Sequence, residues 1–194
     1  RMNAIGDVTV DEFGTAKVVV QPGALLSDVR NAISPRNLMF PPDPTETSAS
    51  LGGMTACNAS GAMSFFYGPT RNWVDSIRVV LADGDILAIR RGERMALGRS
   101  FVLRTECGRL INGTLPSYTM PNVKSAAGYY IADNMDMIDL FIGSEGTLGI
   151  ITEIELKLIA RPSAICGLTV FMPSEDSILS LVHIARAESS MRPA

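Results

Sequence analysis

The most regular pattern in the sequence is an alternation of apolar and charged residues between positions 151 and 160. Successive side chains on a strand point to opposite faces of the sheet, so this alternation predicts a strand with one buried face and one wet face. Pro162 ends the segment. The predicted buried residues are Ile154, Leu156 and Leu158, and the predicted exposed ones are Glu153, Glu155 and Lys157.

Short strands and helices alternate in the rest of the chain. Residues 16–23 are β-branched and end in Pro-Gly, which predicts a strand, whereas residues 24–33 have apolar side chains at helical spacing. Residues 75–89 place Asp-Gly between two apolar runs, which predicts a hairpin with a tight two-residue turn. Residues 90–122 show no sustained period, so we expect a long excursion with one strand near positions 100–105.

The region around the long strand adds further elements. A short apolar helical turn and a glycine loop precede it, within residues 137–149. After it, residues 165–172 predict a strand, and residues 173–189 predict a helix with Ser174 as N-cap and acidic residues in the first turn. The mixture predicts an α+β fold, and a new strand–helix unit after Pro162 predicts the start of a second α+β domain.

Composition excludes several classes of function. The chain has 194 residues, 46% hydrophobic and 19% charged, so it can bury a sizeable core. Its net charge of −3 argues against a nucleic-acid partner. Three widely spaced cysteines fit reduced thiols in a cytoplasmic protein. We expect no transmembrane segment and no signal peptide. The single histidine, His183, is expected to be an ordinary helix residue, and no metal site is predicted.

Two glycine-rich loops, residues 49–61 and 143–151, are candidates for a ligand site. Glycine removes the Cβ atom where a backbone approaches a ligand, and consecutive free N–H groups form concave nests for anionic oxygens. Neither loop contains Lys, and the motifs G-x-x-x-x-G-K-[ST] and G-x-G-x-x-G are missing. Any bound phosphate would therefore be held by neutral donors. Ordinary turns remain the alternative interpretation of both loops.

Six blocks, in order, resemble the flavin-binding domain of FAD-linked oxidases of the vanillyl-alcohol oxidase type. The block GSEGTLGIIT is highly specific and resembles the group of D-lactate dehydrogenases and glycolate oxidase subunits. The resemblance covers about residues 1–160. The blocks lie at residues 40–44, 49–61, 67–74, 79–87, 124–129 and 140–158.

This resemblance implies a cradle for FAD. The segments that would run along the flavin and its diphosphate contain Pro42, Asp43, Ser50, Leu51, Gly52, Gly53 and Met54. The stretch near the ribityl chain and diphosphate contains Asn58, Ala59, Ser60 and Gly61, followed by the pair Tyr67 and Gly68. The adenosine half would be surrounded, largely through main-chain groups, by Glu145, Gly146, Gly149, Ile150 and Ile151.

The resemblance also implies a domain division and an activity. Residues 1–160 would be the FAD-binding domain without the family's upstream diphosphate loop, and residues 161–194 the beginning of a truncated substrate or cap domain. The parent would oxidise a 2-hydroxy acid such as D-lactate or glycolate by hydride transfer to flavin N5, with the isolated chain inactive. A non-catalytic module that binds FAD weakly or not at all, and an FAD subunit with another reaction, remain alternatives.

The expected partners are a small-molecule substrate and an electron acceptor, in the cytoplasm or at a membrane through that acceptor. No catalytic base is assigned. Several individual residues are expected to have structural roles. Asp43 would cap a Pro-rich turn, and backbone donors would hold the Glu145 carboxylate. Trp73 would lie in the core, and Cys57 would be a small buried hydrophobe. For Arg71, contact with the flavin and a salt bridge are both open. The arginines of residues 90–109 are expected on a solvated face or in an inter-domain contact.

Overall fold

A computed structural model describes residues 1–187 of the chain, and its main element is an antiparallel sheet of six strands. The strands follow the order β1-β2-β8-β4-β5, and β3 pairs with the far end of β8. A separate two-stranded sheet is formed by β6 and β7. The strands are β1 (Ile5–Val10), β2 (Ala16–Val20), β3 (Leu38–Met39), β4 (Val74–Val80), β5 (Ile86–Arg90), β6 (Ser100–Arg104), β7 (Leu110–Thr114) and β8 (Ile150–Ala160).

Five α-helices accompany the sheets within the described residues. Two 3₁₀ turns, Ser34–Arg36 and Thr70–Trp73, join neighbouring elements. The helix predicted for residues 173–189 forms as far as the structure describes the chain, and its last two residues lie outside the described part. The helices are α1 (Leu26–Ile33), α2 (Leu51–Ala56), α3 (Ser64–Tyr67), α4 (Ile138–Phe141) and α5 (Glu175–Ala187).

Strand β8 is the centre of the fold and confirms the buried half of the alternation, whereas of the residues predicted to be exposed only Glu153 is, and Glu155 and Lys157 are half-buried. Its side chains Ile154, Leu156 and Leu158 are almost fully buried. Val18 of β2 lies opposite Leu156, and Ile77 of β4 lies opposite Ile154, so one face of the sheet is continuously apolar. Apolar side chains of α1 and α2 join the same core, which therefore lies between that face and these helices.

The opposite face of the sheet carries charged groups that pair with one another. The Lys17 ammonium contacts the carboxylates of Asp11 at 3.0 Å and Asp75 at 2.8 Å. Arg90 pairs with both Asp75 and Glu155. The arginines of residues 90–109 were expected on a solvated face or in an inter-domain contact, but Arg90, like others of that run, is held by carboxylates of this chain.

Three expected elements differ in the structure. The loop of the β4–β5 hairpin has three residues rather than the predicted two, because the Leu81 N–H donates to the Asp85 carbonyl across residues 82–84. Within this loop only Gly84 has a positive φ. The excursion at residues 90–122 contains two strands, since β6 pairs with β7. Residues 165–172 form no strand, because no neighbouring segment of the described chain offers them a ladder of hydrogen bonds.

Candidate functional site

Helix α2 occupies the middle of the first glycine loop, where an irregular loop was expected. Its apolar side holds it in place, since Leu51 and Met54 are 0% and 2% exposed. The Thr55 hydroxyl, also buried, donates to the Leu51 carbonyl at 2.8 Å. Tertiary packing of this kind stabilises a short helix that contains two glycines and would be marginal alone.

The first N–H groups of α2 are already used inside the protein. Leu51 donates to the Ala24 carbonyl at 2.9 Å and Gly52 to the Pro22 carbonyl at 2.8 Å. The Gly53 N–H donates to the Ser50 hydroxyl at 3.2 Å, which makes Ser50 an N-cap. The expectation of consecutive free N–H groups is therefore wrong here, because residues 22–24 run alongside the start of the helix and accept its bonds.

The second glycine loop is bonded to the other end of α2. The Gly143 N–H donates to the Thr55 carbonyl at 3.0 Å, and the Glu145 N–H donates to the Ala56 carbonyl at 2.9 Å. These bonds satisfy carbonyls that a helix end leaves without partners. Glu145 has φ of 52° and an exposed side chain, and in the described chain no backbone donor holds its carboxylate, contrary to expectation.

The two glycine loops line one cleft of about 340 Å³, which we call the glycine cleft. Seven of the predicted site residues lie there, and its lining within the described chain carries no charged side chain. A neutral lining of small residues suits a ligand that is held by close contact rather than by charge. The lining residues are Pro22, Gly23, Ser50, Gly52, Gly53, Ala56, Ser144, Gly146, Gly149, Ile150 and Ile151.

The glycines of this cleft serve two different purposes. A Cβ atom on Gly52 would lie 2.5 Å from the Pro22 Cβ, and one on Gly149 would lie 2.5 Å from a Val79 methyl group. These two glycines allow the chain to pack against itself. At Gly53 the Ser50 hydroxyl, 3.1 Å away, is the only neighbour, and at Gly146 no atom lies within 4 Å. Among the glycines that line this cleft, Gly53 and Gly146 therefore leave the most room for a ligand beside the backbone.

A second cleft, of about 640 Å³, adjoins the first loop and includes the predicted residues Asn58, Ser60 and Gly61. We call it the tyrosine cleft after Tyr130 in its wall. Lys124, which was not among the predicted site residues, adds a positive charge to its lining. No sequence signal marks Lys124 as a ligand contact except its position in the block KSAAGY.

Arg71 lies in the wall of the tyrosine cleft and forms a salt bridge, which confirms one of its two alternatives, while contact with the flavin stays a prediction. Its guanidinium lies 3.2 Å from the Asp139 carboxylate, which Arg91 also contacts at 2.9 Å. Arg71 also donates to the Ile142 carbonyl at 2.5 Å, and its guanidinium lies 4.5 Å from the centre of the Tyr130 ring. Burial lowers the pKa of Arg71 from its ordinary value, although Asp139 favours the charged form.

The PPDP segment lies in a different place from the two clefts. The Asp43 carboxylate accepts a hydrogen bond from Arg30 at 2.7 Å, so it forms an ion pair rather than the expected turn cap. Asp43 lines a separate cavity of about 370 Å³. Pro42 is buried, and its carbonyl accepts from Arg30 at 3.1 Å. A Cβ atom on Gly61 would overlap the Asp43 carbonyl, which explains the glycine there.

The predicted residues Ala59, Tyr67 and Gly68 line neither cleft. The Ala59 carbonyl accepts from the Thr70 hydroxyl at 2.7 Å. The Tyr67 carbonyl accepts from the indole N–H of Trp73 at 2.9 Å, and Trp73 is partly buried against the core, where it was expected. Gly68 has φ of 77°.

The last expectations concern two single residues, Cys57 and His183, and the absence of membrane spans and metal sites. Cys57 is exposed, so the expectation of a buried thiol is wrong, because it follows the last turn of α2. His183 is an exposed residue of α5, as expected for an ordinary helix residue. Among residues 1–187 no helix is long and apolar enough to span a membrane, and no cluster of potential metal ligands is found.

Comparison with known proteins gives one consistent family. Residues 1–90 match the family described as an FAD binding domain. The chain is 33% identical over 165 residues to a D-lactate dehydrogenase of Anaerostipes hadrus, covering 84% of this chain and 27% of that protein. It is 36% identical over 144 residues to the glycolate oxidase subunit GlcD of Bacillus subtilis, covering 74% of this chain and 23% of that protein.

A solved structure agrees with these sequence matches. An alkyldihydroxyacetonephosphate synthase superposes with a TM-score of 0.55 at 25% identity, covering 84% of this chain and 22% of the synthase. The chain thus spans about a quarter of the length of these relatives. The family match, the named relatives and the shared fold agree that the chain carries an FAD-binding domain of the vanillyl-alcohol oxidase type, a domain whose cofactor is FAD.

Proposed function

We propose that this chain holds FAD within a longer oxidoreductase that oxidises a 2-hydroxy acid such as D-lactate or glycolate. The observation that carries the proposal is the meeting of two glycine loops in one neutral cleft that is open at Gly53 and Gly146. When bound, FAD supplies the acceptor for the hydride that leaves the substrate carbon. The substrate class is supported by the names of the matching D-lactate dehydrogenase and glycolate oxidase subunit.

The two clefts would bind different parts of the cofactor. In the glycine cleft, close contact at Gly53 and Gly146, together with Ile150 and Ile151, would hold one part of the cofactor through main-chain and apolar contacts. In the tyrosine cleft, Lys124 and the short polar side chains would provide a cation and hydrogen-bonding groups for an anionic part. Leu51 and Met54 would act from the core by fixing α2.

A pair of neighbouring glycines tests this division. Gly53→Ala places a methyl group in the open cleft, so FAD binding should weaken by about tenfold or more, equivalent to at least about 1.4 kcal/mol. The fold should tolerate the change, because alanine is a better helix former than glycine. Flavin fluorescence titration gives the dissociation constant, and denaturant unfolding gives the stability.

The matched control is Gly52→Ala, one position away on the same helix. Its methyl group points at Pro22, 2.5 Å from the Cβ atom, so it should lower the free energy of unfolding. If Gly53→Ala leaves FAD affinity unchanged while the wild-type chain binds FAD, the assignment of the glycine cleft is wrong. If FAD binds neither the wild-type chain nor the whole protein, the proposed function itself fails.

One observation favours a second candidate for the chain by itself, namely a folded module that binds FAD weakly. The N–H groups of Leu51, Gly52 and Gly53 all donate within the protein, so the helix start offers the cofactor few free donors. A dissociation constant far weaker for the chain than for the whole protein would support this candidate. Equal constants would reject it.

Substrate, acceptor and location belong to the whole protein. A D-2-hydroxyglutarate dehydrogenase of Stutzerimonas stutzeri also matches, at 29% identity, so the substrates to compare are D-lactate, glycolate and D-2-hydroxyglutarate. Anaerobic bleaching of the flavin by one of them would identify the reductant. The matching D-lactate dehydrogenase of Arabidopsis thaliana has both "cytochrome" and "mitochondrial" in its name, which makes a cytochrome the first acceptor to test. A cytoplasmic location stays a proposal, based on the spacing of the cysteines.

A further inference from the structure

The second glycine loop, residues 143–151, is held by a tyrosine that lies outside it. The Tyr129 hydroxyl lies 2.7 Å from the Thr147 hydroxyl oxygen. The Thr147 hydroxyl lies 2.6 Å from the Ser144 carbonyl and donates to it, and its own N–H donates to the same carbonyl at 3.0 Å. Because the Thr147 proton is directed to that carbonyl, the Tyr129 hydroxyl must be the donor between the two side chains. Tyr129 thereby ties the loop across its turn.

A second tyrosine fixes the first. The Tyr118 hydroxyl donates to the Tyr129 carbonyl. Tyr118 lies at the end of the long excursion that contains β6 and β7, and its own carbonyl accepts from Arg99 at 3.3 Å. The excursion therefore reaches the glycine loop through a continuous series of hydrogen bonds.

The residue after Tyr129 supports the other end of the same loop. The Tyr130 ring packs on the Arg71 guanidinium, and that guanidinium donates to the Ile142 carbonyl at 2.5 Å. Ile142 and Thr147 stand on the two sides of the turn at residues 143–146. Between them lies Gly146, exposed and with φ of 78°, one of the two positions open to a ligand.

We propose that Tyr129 is a positioning residue for the cofactor: through Thr147 it holds the turn that presents Gly146 to FAD, and Tyr118 holds Tyr129 in place. This inference rests on the proposed function. A turn that is fixed before binding loses less conformational freedom when the ligand arrives, so removing the tie should weaken binding without unfolding the protein.

A double-mutant cycle separates this role from general packing. Tyr129→Phe keeps the ring and removes the donor, and Thr147→Val keeps the shape and removes the acceptor. Tyr129→Phe should weaken FAD binding by about fivefold, the loss expected for one neutral hydrogen bond, and Thr147→Val should weaken it more, because valine also loses the bond to the Ser144 carbonyl. The loss of FAD affinity in the double variant should be much smaller than the product of the two single losses, because both changes break the same hydrogen bond. Thr147→Ser, which retains the hydroxyl, should restore wild-type affinity.

Hydrogen exchange supplies a measurement that needs no cofactor. In the chain without FAD, Tyr129→Phe should speed exchange of the amides of Gly143, Glu145 and Thr147 by about fivefold or more, with the amides of β8 unchanged. Unchanged exchange at those three amides, or fully multiplicative effects in the cycle, would overturn the inference. If no variant and no wild-type protein binds FAD, the proposed function fails, while the exchange result still decides whether Tyr129 holds the loop.

Discussion

Strand β8 and the segment at residues 165–172 were both predicted to be strands, but only β8 forms one. Strand β8 is hydrogen-bonded to β2 on one edge and to β4 on the other, and its Ile154, Leu156 and Leu158 side chains are buried. The later segment pairs with no strand of the described chain, and its Leu168 and Phe171 are 84% and 90% exposed. Apolar and β-branched residues form a strand only where a neighbouring strand can pair with them. The sequence therefore shows the propensity of a segment for a strand but not whether a partner strand is present.

The helices show the same contrast. Helix α1 buries Leu26, Val29 and Ile33, whereas α5 buries no residue in the described structure. Helix α1 was predicted from its apolar spacing and α5 from its N-cap and acidic first turn, and the N-cap forms, since the Ser174 hydroxyl accepts from the Ser177 N–H at 3.3 Å. Local signals are therefore enough to form a helix but do not show whether it packs. The region before Arg161 should carry nearly all the stability of the chain.

The largest test of this contrast is a pair of leucine truncations. Leu156→Ala removes a fully buried side chain from the centre of the sheet and should lower the free energy of unfolding by about 4 kcal/mol. Leu168→Ala removes an exposed one and should change it by no more than about 0.5 kcal/mol. Denaturant unfolding of both variants gives the comparison. Similar losses for the two would show that residues 165–172 pack against the rest of the protein.

A smaller effect is expected from the ion pair beneath the tyrosine cleft. Asp139→Asn leaves Arg71 and Arg91 without their shared carboxylate, and because both side chains are mostly buried, unfolding should become easier by roughly 3 kcal/mol. The matched change is Asp133→Asn, whose carboxylate pairs with Arg99 but is 64% exposed. Its cost should stay under about 1 kcal/mol. Thermal and denaturant unfolding give the loss of stability in both variants. Equal losses would show that burial of the ion pair is unimportant here.

The charged face of the sheet should make stability depend on acid. Burial pushes the pKa of Asp75 upward, but hydrogen bonds and charges, above all from Lys17, outweigh this and hold the pKa below its ordinary value. A carboxylate with a lowered pKa stabilises the folded state above about pH 4 and loses that contribution as the pH falls toward its folded pKa. Asp75→Asn should therefore flatten the loss of stability below about pH 4, measured by urea unfolding at several pH values. An unchanged loss of stability below about pH 4 in this variant would contradict the lowered pKa of Asp75.

The parts of the fold that the sequence predicts are those where local and tertiary preferences agree. The alternation in β8 and the spacing in α1 meet this condition. Helix α2 does not, because a stretch with Gly52 and Gly53 has poor helix propensity and forms only since Leu51 and Met54 dock in the core. The resemblance could name the glycines of the site. It could not separate Gly52, which packs on Pro22, from Gly53, because that difference depends on chain segments far apart in sequence.

The smallest test compares the two serine caps. Ser50 caps α2, which is docked in the core, and Ser174 caps α5, which is not. Ser50→Ala should lower the free energy of global unfolding by about 1 kcal/mol, the ordinary cost of a lost cap. Ser174→Ala costs its helix a similar amount, but α5 unfolds locally, so the global value should stay within about 0.5 kcal/mol while amide exchange in α5 accelerates. If both caps changed global stability equally, α5 would belong to the same cooperative unit as β8, and the contrast between the two regions would fail.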